Sequence, residues 1–473
     1  MLAGISFNLI YIYAAVYLRV KALFRDAWAL AIETLSWMQM RKLSERLALT
    51  RTVSQLGIQD LGAVRLAHSL VFETVRRQNL LDKFINSVLK PETIGEYELG
   101  VQAFLRLYVY QTRIARNWSK ADVSEAEKIV KLARSILGWK ALQGVERFLG
   151  MLLTRKPTIV FENASDEERI GLRTFHPTWF VKYCFRLFGR TETVAMLEAD
   201  LQKPRKYVRL NTLKSSEDKI LERLSEEGVR LEEDEQLKHV YQVASLKSPL
   251  SKTASYREGL FYAQDKASCF AAEAANPQPG MALLDVCAAP GAKTTYLAQL
   301  MHNSGSIYSV DYSKRRINSW RAEVTRMGVN IAEPIIADAC HTFPFSLEAN
   351  IVILDPPCTG TGTFRKVPSA KWRLTPRSIE RMAEIQWQML DNCAKNVKDG
   401  GVLVYSTCSI TVEENEMQIE RFLKRNPEFS LIEIRPRIGM PGLRTLDKCQ
   451  RLYPNIHECN GFFIGKLLRT GAP

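Results

Sequence analysis

The chain has 473 residues, 46% of them hydrophobic, and its 65 lysines and arginines exceed its 51 aspartates and glutamates to give a formal net charge of +14. This composition excludes disordered and fibrous proteins, and the length exceeds what one hydrophobic core usually supports, so we expect two or three domains. The basic surplus suits a polyanionic partner, either nucleic acid or an anionic membrane surface.

The first twenty residues, MLAGISFNLIYIYAAVYLRV, are the one membrane candidate in the sequence. The run is slightly short for a membrane helix, contains Asn8, and lacks the basic start and small-residue cleavage site of a signal peptide. We therefore expect a buried N-terminal helix or a misassigned start here, and no stable membrane association.

Residues 1–155 repeat apolar side chains every three or four positions, as in LGAVRLAHSLVFETVRRQNLLDKFINSVL. That spacing predicts amphipathic helices and an all-α N-terminal bundle. The polar segment 154–171 breaks the helical period and predicts a boundary. Residues 172–275 then mix a helix-like segment (HPTWFVKYCFRLFG), a strand-like one (KYVRLNTL) and a capped helix (SEDKILERLSEEG), which predicts a small α+β module.

From residue 276 to 473 short apolar strands alternate with helical segments. The strands are ALLDVCAAPG, GSIYSVDYS, NIVILDPP and GGVLVYSTC. This alternation predicts an α/β Rossmann-like domain with a mostly parallel, doubly wound sheet, in which ligands bind at the carboxyl ends of the strands. Unusual polar residues occupy those ends, namely Asp285, Asp311, Asp338, Asp355 and Cys408.

The segment LDVCAAPGAKTT follows a strand and opens a helix, but it is neither a P-loop nor a clean dinucleotide fingerprint. Gly291 permits close backbone approach to a ligand. Asp311, at the end of the second strand, is placed to accept hydrogen bonds from ribose hydroxyls, and Asp338 could bind an adenine amino group. A nucleoside pocket without a pyrophosphate loop predicts S-adenosylmethionine. Singly, each aspartate has the alternative reading of an ordinary loop or capping residue.

The chain has nine cysteines, an odd number, and no two of them have C-x-x-C spacing. We predict neither a disulfide framework nor a metal site, and expect a reducing, cytoplasmic location. Two cysteines, Cys358 in ILDPPCTGTG and Cys408 in VYSTCSI, follow apolar strands. Each alone is compatible with a small buried apolar residue.

A thiol at position 358 points to a carbon target, because methyltransferases acting on amino nitrogens commonly place an aromatic residue after the two prolines. C5 of cytosine is a poor nucleophile until a thiolate adds at C6, and cysteine is suited to such reversible addition. Asp355 is placed to hold N3 of the base. From the residues alone, either Cys358 or Cys408 could be the nucleophile.

The motifs DVCAAPGAKTT, DPPCTGTGTF and YSTCSITVEENE together resemble the Sun/nucleolar-protein family of RNA cytosine-5 methyltransferases, from about residue 172 to the end. The resemblance implies that Cys408 attacks C6 and that Cys358 assists removal of the C5 proton. The implied cofactor-binding residues are Cys287, Ala288, Ala289, Pro290, Gly291, Ala292, Lys293, Asp311, Asp338 and Asp355. Ala292 replaces a glycine that is usual in the family.

Residues 45–155 resemble more weakly the NusB-like RNA-binding domain of the bacterial rRNA methyltransferase RsmB, so we expect rRNA rather than tRNA as the partner and no obligate protein partner. Basic residues with an interleaved aromatic suit RNA phosphate contact and base stacking. The predicted RNA contacts are Arg365, Lys371, Trp372, Arg373 and Arg209. The alternatives are a solvated helix face with a core tryptophan, and for Arg209 a brace within the small module.

Two other functions remain open at this point. The first is an amino-nitrogen methyltransferase, against which the two cysteines argue. The second is a catalytically idle RNA-binding or ribosome-assembly factor on the same fold, against which the intact Asp355, Cys358 and Cys408 argue.

Overall fold

The computed structural model describes residues 3–118 and 122–471, and for residues 3–19 it describes the backbone alone. The chain divides into two compact units. One runs to Leu197 and includes Val367–Arg373, and the other contains Glu198–Lys366 and the chain from Leu374 onward. The division at Leu197 coincides with none of the domain boundaries expected at residues 155, 172 and 275, and those boundaries stay predictions.

The first unit is helical. Its helices are α1 (Ala3–Arg41), α2 (Glu45–Leu56), α3 (Leu61–Arg76), α4 (Gln78–Leu89), α5 (Leu99–Val109), α6 (Val123–Leu137), α7 (Trp139–Thr154), α8 (Asp166–Thr174) and α9 (Thr178–Ala199). A π-helical turn, Tyr110–Ile114, follows α5. Gly189, at a φ of 75°, divides α9 into two helical segments.

Apolar stripes of these helices form one core. In α4 the buried side chains recur at helical spacing (Leu80, Leu81, Phe84, Ile85 and Val88), and they pack with those of α1, α3, α5 and α7. The predicted all-α N-terminal bundle is therefore confirmed. Its likeness to NusB stays a prediction.

The side chains of residues 1–19 are not among those that the structure describes, so the expectation that the N-terminal helix is buried lies outside the described residues. The backbone is helical from Ala3 onward as part of α1. No helix in the described part of the chain combines the length and apolarity needed to cross a membrane.

A small antiparallel sheet opens the second unit. Its strands are β1 (Tyr207–Leu210), β2 (Val229–Glu233), β3 (Val240–Leu246) and β4 (Phe261–Ala263), in the order β2-β3-β1-β4. Helix α10 (Glu217–Glu226) buries Ile220 and Leu224 in the core of this sheet. Arg209 is the charged residue of β1, and it is completely buried. The predicted α+β module is confirmed as a fold.

A nine-stranded sheet forms the rest of this unit. Its strands are β5 (Ala282–Val286), β6 (Ser306–Asp311), β7 (Ala332–Ile336), β8 (Ala349–Leu354), β9 (Val397–Thr407), β10 (Phe429–Leu431), β11 (Met440–Pro441), β12 (Gln450–Leu452) and β13 (Phe462–Arg469). Strands β9-β8-β5-β6-β7 are parallel neighbours, and β13, β12 and β11 extend the β9 side in antiparallel pairing. The predicted Rossmann-like sheet is confirmed.

Helices pack against this sheet. They are α12 (Lys266–Ala275), α13 (Ala292–Leu300), α14 (Lys314–Met327), α16 (Pro376–Ala394), α17 (Glu416–Arg425) and α18 (Pro454–His457). The short helix α11 (Ala254–Arg257) contacts the small sheet, and α15 (Ala370–Arg373) belongs to the helical unit. Two apolar cores pack against the central strands, which places the buried strand residues between layers of helix.

Candidate active site

The carboxyl ends of four parallel strands, β9, β8, β5 and β6, lie side by side at one edge of the large sheet. Cys287 follows β5, Asp311 ends β6, Asp355 follows β8 and Cys408 follows β9. The chain order reverses between β5 and β8, and doubly wound sheets bind ligands at such a reversal. The tertiary structure thus brings these four residues to one crevice.

The two predicted catalytic cysteines meet at this edge. The Sγ atoms of Cys358 and Cys408 lie 3.0 Å apart, and neither cysteine is in a disulfide. Two hydrogen bonds align their loops: the amide of Gly362 donates to the carbonyl of Cys408 at 2.9 Å, and the amide of Ile410 donates to Thr361 Oγ1 at 2.8 Å. Both thiols can therefore face one reacting group.

The glycine-rich turn after Cys358 is required by close backbone packing. A Cβ atom at Gly362 would lie 2.1 Å from the carbonyl oxygen of Gly461, a distance that a side chain cannot occupy. The amide of Gly461 also donates to the carbonyl of Gly362 at 2.9 Å. Only glycine permits this approach, which holds the Cys358 loop against the C-terminal segment.

The surroundings of Cys358 disfavour its thiolate. Its hydrogen bond with Cys408 and its burial raise the pKa of Cys358 well above the ordinary cysteine value, and the charges of Glu414 and Asp355 add to the rise. Either sulfur of the pair can be the donor in the contact between them.

Asp355 is held by a lysine from the cofactor loop. Lys293 Nζ forms an ion pair with Asp355 Oδ2, and the lysine side chain is only 10% exposed. Burial lowers the pKa of Lys293, but the charges of Asp355 and Asp285 outweigh burial and raise it. The Asp355 side chain keeps 29% of its surface exposed, so its carboxylate is both oriented and reachable.

The predicted cofactor loop, residues 287–293, is folded tightly onto β6. Its backbone passes through positive φ at Cys287 (64°) and Gly291 (108°), and α13 begins at Ala292. The amide of Ala288 donates to the carbonyl of Val310 at 3.0 Å, and the amide of Ala289 donates to Asp311 Oδ2 at 3.3 Å. The loop and the acidic end of β6 therefore form one wall of the crevice.

The acidic side chains at these strand ends fit the binding of S-adenosylmethionine. Asp311 Oδ2 receives the amide of Ala289 and pairs with Arg316 at 3.3 Å, while Oδ1 receives the amide of Ser313, which leaves a lone pair on Oδ1 for a ribose hydroxyl. Asp338 lies two residues beyond β7, its side chain is 53% exposed, and it accepts the amide of Cys340 at 2.9 Å. Together with Asp355, these carboxylates make the strand ends acidic, which suits the positively charged sulfonium of S-adenosylmethionine. Among the described residues, no cluster of three or more His, Cys, Asp or Glu could hold a metal ion.

Asp285 is a carboxylic acid buried in β5. It accepts a hydrogen bond from Thr294 Oγ1 at 2.6 Å, and Thr294 in turn accepts one from Trp320 Nε1 at 2.9 Å. Burial raises the pKa of Asp285 to about 7, against the lowering by Thr294 and Lys293. A folded-state pKa above the unfolded value means that the native state binds the extra proton, so stability falls as pH rises from about 4 to about 7.

The Asp285→Asn variant should therefore become progressively more stable than the wild type as pH rises. Asparagine keeps an acceptor for Thr294 but cannot ionise, so we expect its advantage in the free energy of unfolding to grow by about 2–4 kcal/mol between pH 5 and pH 8.5. Urea unfolding without cofactor measures it. Asp399→Asn, at a side chain that is 74% exposed, is the matched control. A constant difference across this pH range would contradict the prediction.

The structure corrects the prediction that Arg209 binds RNA. Its guanidinium is fully buried, donates to Thr295 Oγ1 at 2.9 Å and to Gln264 Oε1 at 3.2 Å, and lies 4.6 Å from the ring centre of Tyr296. It also pairs with the side-chain oxygen of Gln299. Arg209 therefore links the small sheet to α13, which is the bracing alternative.

Two other predicted RNA contacts are also corrected. Arg365 is 5% exposed and donates to the carbonyl of Cys459 at 3.1 Å, and Lys371 is 1% exposed. The indole of Trp372 donates to the carbonyl of Val75 at 2.6 Å and packs, partly buried, on the core of the helical unit. Trp372 is partly exposed and Arg373 is exposed, and their roles in RNA contact stay predictions.

Sequence reasoning missed the acid at the centre of the site. Glu414 is fully buried and accepts hydrogen bonds from the loops of both cysteines. It also missed the buried ion pair of Glu416 with Arg451, whose guanidinium donates to the carbonyl of Ile410 at 2.9 Å. Both glutamates lie in the run EENE, a pattern more typical of a solvated helix start. Their signal in the sequence was the motif YSTCSITVEENE, which contains both of them.

Two protein-family models match parts of this chain. Residues 272–468 match the family of 16S rRNA methyltransferase RsmB/F. Residues 176–246 match the ferredoxin-like domain of RsmF/B-like methyltransferases.

Three known proteins are similar in sequence. Probable ribosomal RNA small subunit methyltransferase B of Bacillus subtilis is 28% identical over 93% of this chain and 98% of its own length. The protein of the same description from Synechocystis is 30% identical over 86% and 91%. The 25S rRNA (cytosine-C(5))-methyltransferase nop2 of Schizosaccharomyces pombe is 34% identical over 60% of this chain and 49% of its own.

Two solved structures are similar in fold. The crystal structure of PH0851 covers 94% of this chain and 98% of its own, with a TM-score of 0.79 and 27% identity. NSun6 from Pyrococcus horikoshii, solved with SFG, covers 62% of this chain and 97% of its own, with a TM-score of 0.57 and 26% identity.

Proposed function

Because the chain belongs to the RsmB/F family of S-adenosylmethionine-dependent rRNA methyltransferases, we propose that it methylates C5 of a cytosine in rRNA through a covalent bond between Cys408 and C6. The observation that carries this proposal is the 3.0 Å separation of the Cys358 and Cys408 sulfurs at the ends of neighbouring strands. Methylation at C5 requires reversible addition at C6 and removal of a proton from C5, and two neighbouring thiols can carry out these two steps. Methylation of an amino nitrogen requires neither step.

Attack begins at Cys408. Its thiol loses its proton as the sulfur bonds to C6, the electron pair of the C5–C6 double bond moves to C4–C5, and that of C4–N3 moves to N3. Lys293 pairs with Asp355 Oδ2, and Oδ1, which Ser406 Oγ approaches at 3.5 Å, keeps a lone pair for the N3 edge. S-adenosylmethionine, when bound, supplies an electrophilic methyl group for C5. N3 takes up a proton through Asp355, and this proton neutralises the charge that develops in the ring.

Release belongs to Cys358. Its hydrogen bond with Cys408 is the largest cause of its raised pKa, and this cause disappears once the Cys408 sulfur is bonded to carbon. Cys358 then gives its thiol proton to solvent, and its thiolate sulfur takes the proton from C5. The C5–C6 double bond re-forms as the bond from C6 to Cys408 breaks. Loss of the contact with Cys408 therefore favours the thiolate form of Cys358 that this step needs.

The substrate of this reaction is a cytosine that can leave its stack to reach the crevice, as in single-stranded or loop RNA. The similarity to small-subunit rRNA methyltransferases supports small-subunit rRNA over tRNA. Nine free cysteines support a reducing, cytoplasmic setting. Neither a stable membrane association nor an obligate protein partner is part of the proposal.

Small-subunit rRNA incubated with the protein and S-adenosylmethionine should acquire a cytosine that resists bisulfite conversion. We expect one such position, dependent on cofactor and absent when tRNA is the only RNA offered. Bisulfite sequencing reads the position directly, and the Cys408→Ala protein is the control. Methyl incorporation with complete bisulfite conversion would instead favour an amino-nitrogen target, and no incorporation into any RNA would favour the idle factor.

A further inference from the structure

Glu414 is a buried carboxylate that the proposed reaction does not itself use. It lies six residues after Cys408, in the loop between β9 and α17, and has no exposed surface. A buried carboxylate is costly unless hydrogen bonds replace its water. The partners that do so show what the residue is for.

Five donors converge on this carboxylate. Oε1 accepts the amide of Thr359 at 2.8 Å and Gln386 Nε2 at 2.9 Å. Oε2 accepts Ser409 Oγ at 2.6 Å, Thr411 Oγ1 at 2.8 Å and the hydroxyl of Thr359. Two carboxylate oxygens have about four lone-pair positions, so the acceptor capacity of Glu414 is filled.

The donors come from both catalytic loops. Thr359 directly follows Cys358, and Ser409 directly follows Cys408. Gln386, on α16, also donates to the carbonyl of Pro357 at 2.9 Å, and it therefore ties the start of the Cys358 loop to the same carboxylate. One side chain thus contacts the neighbour of each cysteine.

We propose that Glu414 is a positioning residue, which holds the Cys358 loop and the Cys408 loop together so that both thiols reach one base. The five donors to this carboxylate include neither thiol. For its consequence in catalysis this proposal rests on the proposed function, but the spacing of the thiols can be measured without RNA.

Oxidation of the thiol pair tests the spacing. Diamide takes one hydrogen atom from each of two thiols, joins the sulfurs in a disulfide and is itself reduced to a hydrazine. In the wild type we expect rapid formation of a Cys358–Cys408 disulfide, quantified by mass spectrometry of the peptides. In Glu414→Ala the rate should fall about a hundredfold, as expected when reacting atoms are misplaced by about 1 Å.

Three further measurements separate positioning from misfolding. Glu414→Gln should retain most of the wild-type rate, because the amide oxygen can accept from Thr359 and Gln386 while its NH₂ group donates to hydroxyls that can rotate. The fully buried Cys393 should stay unmodified in each folded variant. Glu420→Ala, which removes a partly exposed carboxylate paired with Arg444, should match the wild type. If Glu414→Ala does not fold, Thr359→Val removes one donor and should slow cross-linking severalfold.

Two results would overturn the positioning role: a wild-type pair that does not cross-link, or a folded Glu414→Ala protein that cross-links at the wild-type rate. With active protein, Glu414→Ala should lower kcat and leave the affinity for S-adenosylmethionine, measured by calorimetry, within about twofold. Absence of methylation by the wild type would refute the proposed function alone, since the cross-linking result would still stand.

Discussion

Replacing Cys358 by alanine should trap the protein on its RNA as a covalent adduct. Cys408 can still attack C6 and the methyl group can still reach C5, but the C5 proton then has no base beside it, because the second sulfur 3.0 Å away has been removed. Elimination stalls and each protein molecule is consumed. Denaturing electrophoresis of labelled RNA, with S-adenosylmethionine present, should show a band that carries both protein and RNA.

The Cys408→Ala variant should behave in the opposite way. Without the attacking sulfur we expect neither adduct nor methylation, and the double variant Cys358→Ala, Cys408→Ala should also form no adduct. Cys184→Ala, at a buried cysteine of the helical unit, is the matched control and should turn over normally. The reverse pattern would exchange the two roles. Methylation that survives in both single variants, without adduct, would refute covalent catalysis.

Changing Asp355 to asparagine should lower the rate of methyl transfer by about 10²–10⁴-fold, the range typical of a lost acid or base contact. Asparagine has nearly the same shape, but it carries no charge to pair with Lys293 and cannot hold a proton at N3. We expect the loss in kcat under single-turnover conditions. Because N3 must accept charge during attack, adduct formation in the Cys358→Ala background should fall in parallel.

Cofactor binding identifies the step that the Asp355→Asn change affects. Calorimetric titration with S-adenosylmethionine should show a smaller change than the rate does, since Asp311, Asp338 and the loop 287–293 remain. Asp391→Asn, at a surface carboxylate of α16 paired with Arg425, supplies a control. A variant that retains the wild-type rate, or that loses only cofactor affinity, would remove Asp355 from the chemistry at the base.

The sequence predicted which residues would share the crevice because parallel strands leave their carboxyl ends at a single edge. Asp311, Asp355 and Cys408 each end or follow an apolar strand, so strand assignment alone placed them together. The loop 287–293 was recognisable for the same reason, as a strand followed by small residues and a helix. Local patterns thus sufficed for the fold class and for these strand-end residues of the candidate site, but not for Glu414.

The predicted RNA contacts were less successful because a cation in the sequence carries no sign of its burial. Arg209 is satisfied by glutamine and threonine side chains that lie 55 to 90 residues away in the chain. Trp372 is covered by residues of the helical unit, although it follows the Cys358 loop closely in sequence. The partners of Arg209 and Trp372 can be identified only from the tertiary structure, because they lie far from these two residues in the sequence.

By itself the sequence determined the fold class and predicted the chemistry that is available: two thiols, an acid and a nucleoside pocket at the ends of parallel strands. Only the tertiary structure decided how these groups act on one another. It set the 3.0 Å contact of Cys358 with Cys408, paired Lys293 with Asp355, and buried Glu414 between the two loops. The physical reason is that hydrogen bonds and ion pairs depend on distances of a few ångströms between segments about fifty residues apart, and chain packing alone sets those distances.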